Sequence, residues 1–358
     1  MPDKNFWDGQ RVLLTGHTGF KGSWTALWLS QMGAEVLGYA LVPETKPALF
    51  DLLSPVPGLN SVVGDIRDPA PLNSAVADFS PTLAIHMAAQ PLVRRSYREP
   101  VETYGVNVMG TAHVLEALRR VQGLKAALVI TTDKVYRNDD SGRAFREVDP
   151  LGGHDPYSSS KAACEEVVSS WRQSYFESLG IPLATARAGN VVGGGDWSED
   201  RLVPDIWRAM VEGKSVILRN PESVRPWQHV LDPVSGYLTY VEALASGRRD
   251  LPHTLNFAPA ADSPMTVREV TETLGAGLGI EKPWQLAEGA QPVEMKLLTL
   301  DASLAAHTIG WRPLLTGRQA IEWSAEWYLA RHRGEDVKAK TVAQIQRYEA
   351  LADTAATT

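Results

Sequence analysis

Arg11-Val12-Leu13-Leu14-Thr15-Gly16-His17-Thr18-Gly19-Phe20-Lys21-Gly22 opens with a short apolar run suited to a buried parallel strand. A glycine-rich turn follows at once, and Ser23 to Met32 then carries helical periodicity. Strand, glycine turn and helix in succession are the context a dinucleotide-binding fingerprint requires. The glycines permit positive φ and close backbone approach, and free amides at the helix start can meet a pyrophosphate. Gly16, Gly19 and Gly22 stand in a Gly-x2-Gly-x2-Gly spacing rather than Gly-x-Gly-x2-Gly, so their meaning comes from this setting and not from the bare pattern. Trp24 and Trp28, four apart, read as residues that pack the helix on the sheet.

Outward from this stretch the pattern repeats. Glu35 to Leu41 reads as a second strand, Ser61-Val62-Val63-Gly64 as a third and Leu83-Ala84-Ile85-His86 as a fourth. Ala126 to Thr131 reads as a fifth and Pro182 to Ala188 as a sixth, with long helices over Glu99 to Val121 and Pro156 to about Leu179. This alternation predicts an α/β fold, a Rossmann-type doubly wound parallel sheet. After Gly189-Asn190 the texture changes to glycine- and proline-marked loops with shorter elements. The division expected is a dinucleotide-binding domain over 1–189 and a smaller mixed α/β substrate domain over 190–358. A segment of about 230–258, carrying the strand Leu255-Asn256-Phe257, should return to the first. Helices are expected over Asp232 to Ala245, Thr266 to Leu278, Ala302 to Ile309 and Thr316 to His332, with Trp323 and Trp327 in the core. The small polar end, Asp353 to Thr358, is expected to fray.

Sheets of this kind meet their ligands at the carboxyl ends of the strands. Ala88 and Ala89, just past the fourth strand, leave room for a cofactor, and Asp65 and Ile66, past the third, stand where an acid meets the adenine end. An acid about 20 residues past the glycines should hold the ribose of NAD. Only Glu44 is near, and no arginine sits there to receive a 2′-phosphate, so the reading leans to NAD over NADP. His86 reads as a satisfied core histidine. Asn107, in mid-helix near Gly110, either marks a distortion that anchors a water or the active-site lysine, or is an ordinary polar position. Thr131-Thr132-Asp133-Lys134-Val135-Tyr136 is either a catalytic cluster or a hydrophilic strand exit.

Tyr157 and Lys161, in Asp155-Pro156-Tyr157-Ser158-Ser159-Ser160-Lys161, are four apart in the opening turn of a helix and share a face. A neighbouring ammonium favours phenolate over phenol, which would let a tyrosine act as a base; an exposed helix face is the alternative. Arg201, Arg219 and Arg225, with a tryptophan among them, could grip a diphosphate and cover a base or sugar. Solvated charge is the alternative, with Arg225 the favoured exception.

Bulk properties narrow the partners. The formal net charge is −7, and no Lys/Arg stripe exists beyond pairs such as Arg94-Arg95 and Arg248-Arg249, which argues against nucleic acid and anionic membrane. A single cysteine, Cys164, excludes an internal disulfide and fits a reducing compartment. No apolar run reaches spanning length and no export signal is legible, so the expectation is a cytoplasmic enzyme that needs no metal.

Together these motifs resemble the extended short-chain dehydrogenase/reductase superfamily, and within it the CDP-glucose 4,6-dehydratases. The resemblance runs from about Trp7 to Leu329 and rests on segments in a fixed order. They are Thr15 to Gly22, Gly64 to Asp68, His86 to Gln90, Thr131 to Tyr136, Tyr157 to Lys161, Gly189 to Trp197 and Arg225 to Asp232. It implies that Tyr157 takes the sugar 4-hydroxyl proton, with Lys161 lowering its pKa and binding the nicotinamide ribose, and Thr132 hydrogen-bonding the same hydroxyl. Gly16, Thr18, Gly19, Phe20 and Gly22 would cradle NAD, with Asp65, Ile66, Ala88, Ala89 and Asn107 also on the cofactor. Asn190, Arg201, Leu218, Arg219 and Arg225 would contact the sugar nucleotide.

Asp133-Lys134 distinguishes the chain from dTDP-glucose dehydratases, which carry aspartate then glutamate, and from epimerases, which lack the pair. The reaction implied oxidises C4, eliminates water across C5 and C6, and returns hydride to C6. Asp133 suits the acid if burial keeps it protonated; Lys134 suits the base if its pKa is driven down, and a bridging water, or Lys134 stabilising the enolate by charge, fits the sequence as well. Other dTDP-, UDP- or GDP-hexose dehydratases, an epimerase or reductase, and a non-catalytic nucleotide-sugar or NADP sensor are the competing readings. The superfamily's usual helix pairing across a twofold implies a homodimer or homotetramer.

Overall fold

The central sheet is built from seven parallel strands: β1 Arg11–Thr15, β2 Glu35–Ala40, β3 Leu59–Val63, β4 Leu83–His86, β5 Ala126–Ile130, β6 Leu183–Ala188 and β7 Thr254–Phe257. Their spatial order is β7-β6-β5-β4-β1-β2-β3. The structure, a computed structural model, describes residues 1–139, 141–260, 265–277, 279–281, 283–287 and 298–357, without the side chains of 355–357. Strands β4, β5 and β6 are buried along their whole length, as helices on both faces require, and they read as near-continuous apolar runs. β3, at the sheet edge, is half exposed.

The chain leaves β1 toward β2 on one side and reaches β4 on the other, with Thr15 in register with both Tyr39 and His86. That reversal opens a crevice at the carboxyl ends of β1 and β4. Gly16, Met87-Ala88-Ala89 and Thr131 border it.

The helix Pro156–Trp171 starts where its sequence prescribes, with Pro156 in the first turn and the Asp155 carboxylate accepting from the Ser158 amide at 3.0 Å. A buried ion pair fixes its register on the sheet. Glu165 accepts from Arg187 Nε at 2.9 Å and Nη2 at 3.0 Å, and from Thr185 Oγ1 at 2.8 Å. Tyr157, Lys161 and Glu165 follow one another at four-residue intervals along that helix, so anchoring Glu165 aims Tyr157 and Lys161 at the end of β5.

The second half departs from expectation at its end. Asp353 to Thr357 is not irregular: a helix spans Val337–Thr357. Val337, Ile345, Tyr348 and Ala352 bury one of its sides. Its Tyr348 hydroxyl donates to Asp232 Oδ1 at 2.8 Å, and its Glu349 accepts from Trp28 Nε1 at 2.8 Å. The helix expected over Thr266 to Leu278 runs Val267–Gly277; Leu278 and Thr358 lie outside the described residues. Gly317–His332 begins with a Thr316/Gln319 capping box. Its Trp327 ring fills the space a Cβ on Gly194 would need. No helix among the described residues is long and apolar enough to cross a membrane.

Candidate active site

The three loop glycines serve different ends. Gly16 has φ +77°, and a Cβ there would stand 2.7 Å from the Ala88 nitrogen. A Cβ on Gly22 would strike the Gly16 carbonyl. Both are therefore demanded by the turn itself. Gly19 is not: its φ is −78°, and a Cβ there would meet nothing nearer than the Gly16 oxygen at 3.4 Å. A side chain at 19 would fill the groove instead. No side chain caps the helix Phe20–Gln31, so its first-turn amides are open to an anion. Thr18 borders the same groove, with its hydroxyl donated to the Leu41 carbonyl at 2.8 Å. An uncapped helix start behind a side-chain-free cradle fits a dinucleotide pyrophosphate.

At the far end of the groove Asp65 and Ile66 line the wall. The Asp65 carboxylate is engaged by Arg67, whose Nε lies 3.0 Å from both oxygens and whose amide lies 2.8 Å from Oδ1. That hydrogen bonding holds the carboxyl below its usual range. Glu44 also lines the groove, but an arginine absent from its sequence neighbourhood arrives from elsewhere in the fold. Arg95 Nη1 lies 2.9 and 3.0 Å from the two Glu44 oxygens, while Nε binds Glu99 at 2.7 Å. The guanidinium is thus already divided between two carboxylates.

At the reaction end, Thr132, Asp133 and Lys134 follow Thr131 at the groove wall without lining the groove themselves; Asp133 is 2% exposed and receives Thr132 Oγ1 at 2.9 Å and Lys134 Nζ at 3.3 Å. Tyr157 and Lys161 line the groove and are buried. Lys161 Nζ donates to the Ile130 carbonyl at 3.0 Å, which holds the ammonium at the end of β5. Arg201 reaches the same groove and pairs with Asp196 at 3.0 Å. Asp133, outweighing desolvation, raises Lys134 above the ordinary lysine value. The condition set for Lys134 as a base, a lowered pKa, is therefore not met while Asp133 is ionised: the adjacent carboxylate favours its ammonium. His86 is a satisfied core group. Its nitrogens meet Thr15 Oγ1 at 2.6 Å and Thr111 Oγ1 at 3.0 Å, and burial keeps it neutral with a pKa lowered to about 3.

Other expected site residues stand elsewhere. Asn107 sits in a π-helical turn, Gly105–Gly110, a distortion of the expected kind. Its amide is committed to the Gln90 backbone at 2.8 and 3.1 Å and to Ser160 Oγ at 2.9 Å, so it braces the Lys161 helix rather than touching the groove. Leu218 is 3% exposed, and its carbonyl accepts from the Ala287 amide at 2.8 Å; both side chain and carbonyl are used by the core. Arg219 is exposed and Arg225 half-buried, with Arg225 Nη1 donating to the Val224 carbonyl at 3.1 Å; neither lines the groove. Asn190 begins a short strand paired with Trp227–His229. It follows Gly189, where a Cβ would lie 3.2 Å from Asp133 Oδ2.

Two features escaped sequence reading. Glu165 and Arg187 hold the catalytic helix in place, and their pairing spans 22 residues with no local signal; a charged residue inside an otherwise apolar strand was the available hint. Lys21, inside the glycine motif, turns its ammonium toward the Tyr237 ring, 6.0 Å from the centroid.

Comparison with known proteins accords with this geometry. The model of the NAD dependent epimerase/dehydratase family matches residues 12–257. A CDP-glucose 4,6-dehydratase of Salmonella typhimurium is 45% identical over 97% of this chain and 98% of its own. A dTDP-glucose 4,6-dehydratase of Xanthomonas campestris is 27% identical over 88% of this chain and 92% of its own. Among solved structures, a UDP-glucose 4-epimerase of Thermus thermophilus in complex with NAD superposes with TM-score 0.72 at 26% identity, covering 88% of this chain and 98% of that one. A dTDP-glucose 4,6-dehydratase of Streptomyces venezuelae, solved with NAD bound, gives 0.76 at 24% identity, covering 91% and 98%, and shares the fold. By sequence match and by architecture, the chain belongs to the NAD dependent epimerase/dehydratase family.

Proposed function

We propose that this enzyme is a nucleotide-sugar 4,6-dehydratase that converts CDP-D-glucose to CDP-4-keto-6-deoxy-D-glucose. The observation that carries the reading is the Asp133–Lys134 pair at 3.3 Å, its carboxylate buried and its ammonium half-buried within electrostatic reach of Tyr157, an acid and an amine beyond what C4 oxidation needs. The near-full-length likeness to a CDP-glucose 4,6-dehydratase supports the choice of nucleotide.

Bound NAD supplies a hydride acceptor that gives the same hydride back within one turnover. Tyr157 takes the proton of the sugar 4-hydroxyl, which Thr132 orients, and Lys161 provides the adjacent positive charge. The C4 ketone acidifies C5–H; Lys134, as the neutral amine, accepts that proton while Asp133, as the neutral acid, protonates the C6 hydroxyl, which leaves as water. These two roles are one choice. Asp133 carboxylate holds Lys134 protonated, so a free amine is available only when Asp133 carries the proton itself. The ion pair is then the arrangement that elimination leaves behind. Lys134 returns its proton to C5, and the proton collected by Tyr157 resets Asp133, so the cycle balances.

We assign cofactor binding to residues 1–189 and sugar-nucleotide binding mainly to 190–358, with Arg201 on the diphosphate. We further propose a cytoplasmic homodimer. Val101 is 84% exposed and Met109 53%, with Tyr104, Tyr175 and Leu179 also exposed along the two helical segments expected to pair.

The test is incubation with CDP-, dTDP-, UDP- and GDP-hexoses without added reductant, reading the alkaline absorbance of a 4-keto-6-deoxy sugar. Product from CDP-glucose is expected. No product from any of them, or stoichiometric release of reduced cofactor, overturns the reading.

A further inference from the structure

We propose that Lys21 is a positioning residue for the redox balance: it holds a cation beside the reactive ring of the cofactor and favours the reduced form over the oxidised one. The inference rests on the reading above for the place of that ring. The carbon whose hydroxyl gives a proton to Tyr157 also gives up the hydride, so the accepting ring must lie within reach of Tyr157 and Lys161.

Lys21 leaves the first turn of the helix Phe20–Gln31 and lines this groove. Its ammonium faces the Tyr237 ring at 6.0 Å. Tyr237 is fully buried, and its hydroxyl has no partner among the described residues. The charged neighbours of Lys21 are Arg201, Lys161 and Lys134, against the single carboxylate of Asp133; Tyr157 and Tyr237 interact with the same groups. With Asp196 paired to Arg201 at 3.0 Å, four cations stand against two carboxylates, and the cluster keeps a net positive charge. The oxidised ring is itself a cation and the reduced ring is neutral, so an extra ammonium there repels only the first. Burial, then Arg201 and Lys161, bring the Lys21 amine down to about 7, so the preference fades as pH rises through that value. In a cycle that must keep its reduced cofactor until the last step, such a preference retains it.

The test is titration of the cofactor-free full chain with NAD and with NADH by tryptophan fluorescence, at pH 6 and pH 8.5, for the wild type, Lys21→Met and Lys21→Arg. The quantity read is the ratio of the two dissociation constants, in which the pyrophosphate common to both ligands cancels. At pH 6 the wild type should favour NADH about tenfold more than Lys21→Met does. Lys21→Arg should restore the preference, and the wild-type ratio should fall at pH 8.5. If Lys21→Met weakens both ligands in parallel, or the wild-type ratio ignores pH, the lysine serves the phosphates or the fold and the inference is wrong. The readout needs no turnover, so it stands apart from the identity of the sugar substrate.

Discussion

Tyr157 and Lys134 divide the reaction between them, and their variants should fail differently. Tyr157→Phe removes the first proton acceptor, so kcat should fall by about 10²–10⁴-fold with NAD affinity little changed. Lys134→Met leaves C4 oxidation possible and stops elimination, so reduced cofactor should build up on the enzyme, visible by its near-ultraviolet absorbance. A variant that turns over normally, or one that accumulates nothing, would assign the C5 proton elsewhere. The four-residue spacing of Tyr157 and Lys161 was legible because a helix makes it a local property. Lys21 and the Arg95–Glu44 pair were not, since each depends on where a distant segment folds back. Lys134 was legible as a position, but its raised pKa depends on how Asp133 points.

Individual elements carry predictions of their own. Gly19→Ala keeps an allowed backbone and touches no protein atom closer than 3.4 Å, so the cofactor-free protein should keep its unfolding midpoint while NAD binding weakens roughly tenfold or more. Equal loss of stability would mean that Gly19 belongs to the turn. Arg187→Met strands the buried Glu165 carboxylate and should cost about 3–5 kcal/mol in urea unfolding. Asp232 joins the helix Leu231–Ala245 to the C-terminal helix through Tyr348, and burial lifts its carboxyl to about 7. The folded protein keeps a proton that the unfolded chain releases near pH 4. Its contribution is thus complete below about pH 4, declines as pH rises through 7 and is flat above. Asp232→Asn should therefore gain on the wild type between pH 4.5 and 7.5, by up to about 4 kcal/mol in denaturant titrations; parallel curves would contradict this. The parallel strands were readable as apolar runs. The C-terminal helix was not, because its buried side is set by the Trp28 and Asp232 helices it covers and the sequence there is small and polar.

At the scale of the whole molecule, the exposed Val101 and Met109 predict a particle of twice the chain mass in sedimentation equilibrium, and Met109→Glu should shift it toward monomer. Fold class followed from alternation alone, whereas the order of strands and the place of Leu218 and Arg225 depended on tertiary contacts that no spacing encodes. What unites the levels is an internal redox cycle, in which the hydrogen taken from C4 reappears on the same sugar. The direct measurement uses CDP-glucose deuterated at C4, with the product analysed by mass and NMR. The account predicts deuterium at C6 and no net reduced cofactor. Deuterium left at C4, or released on free cofactor, would contradict it.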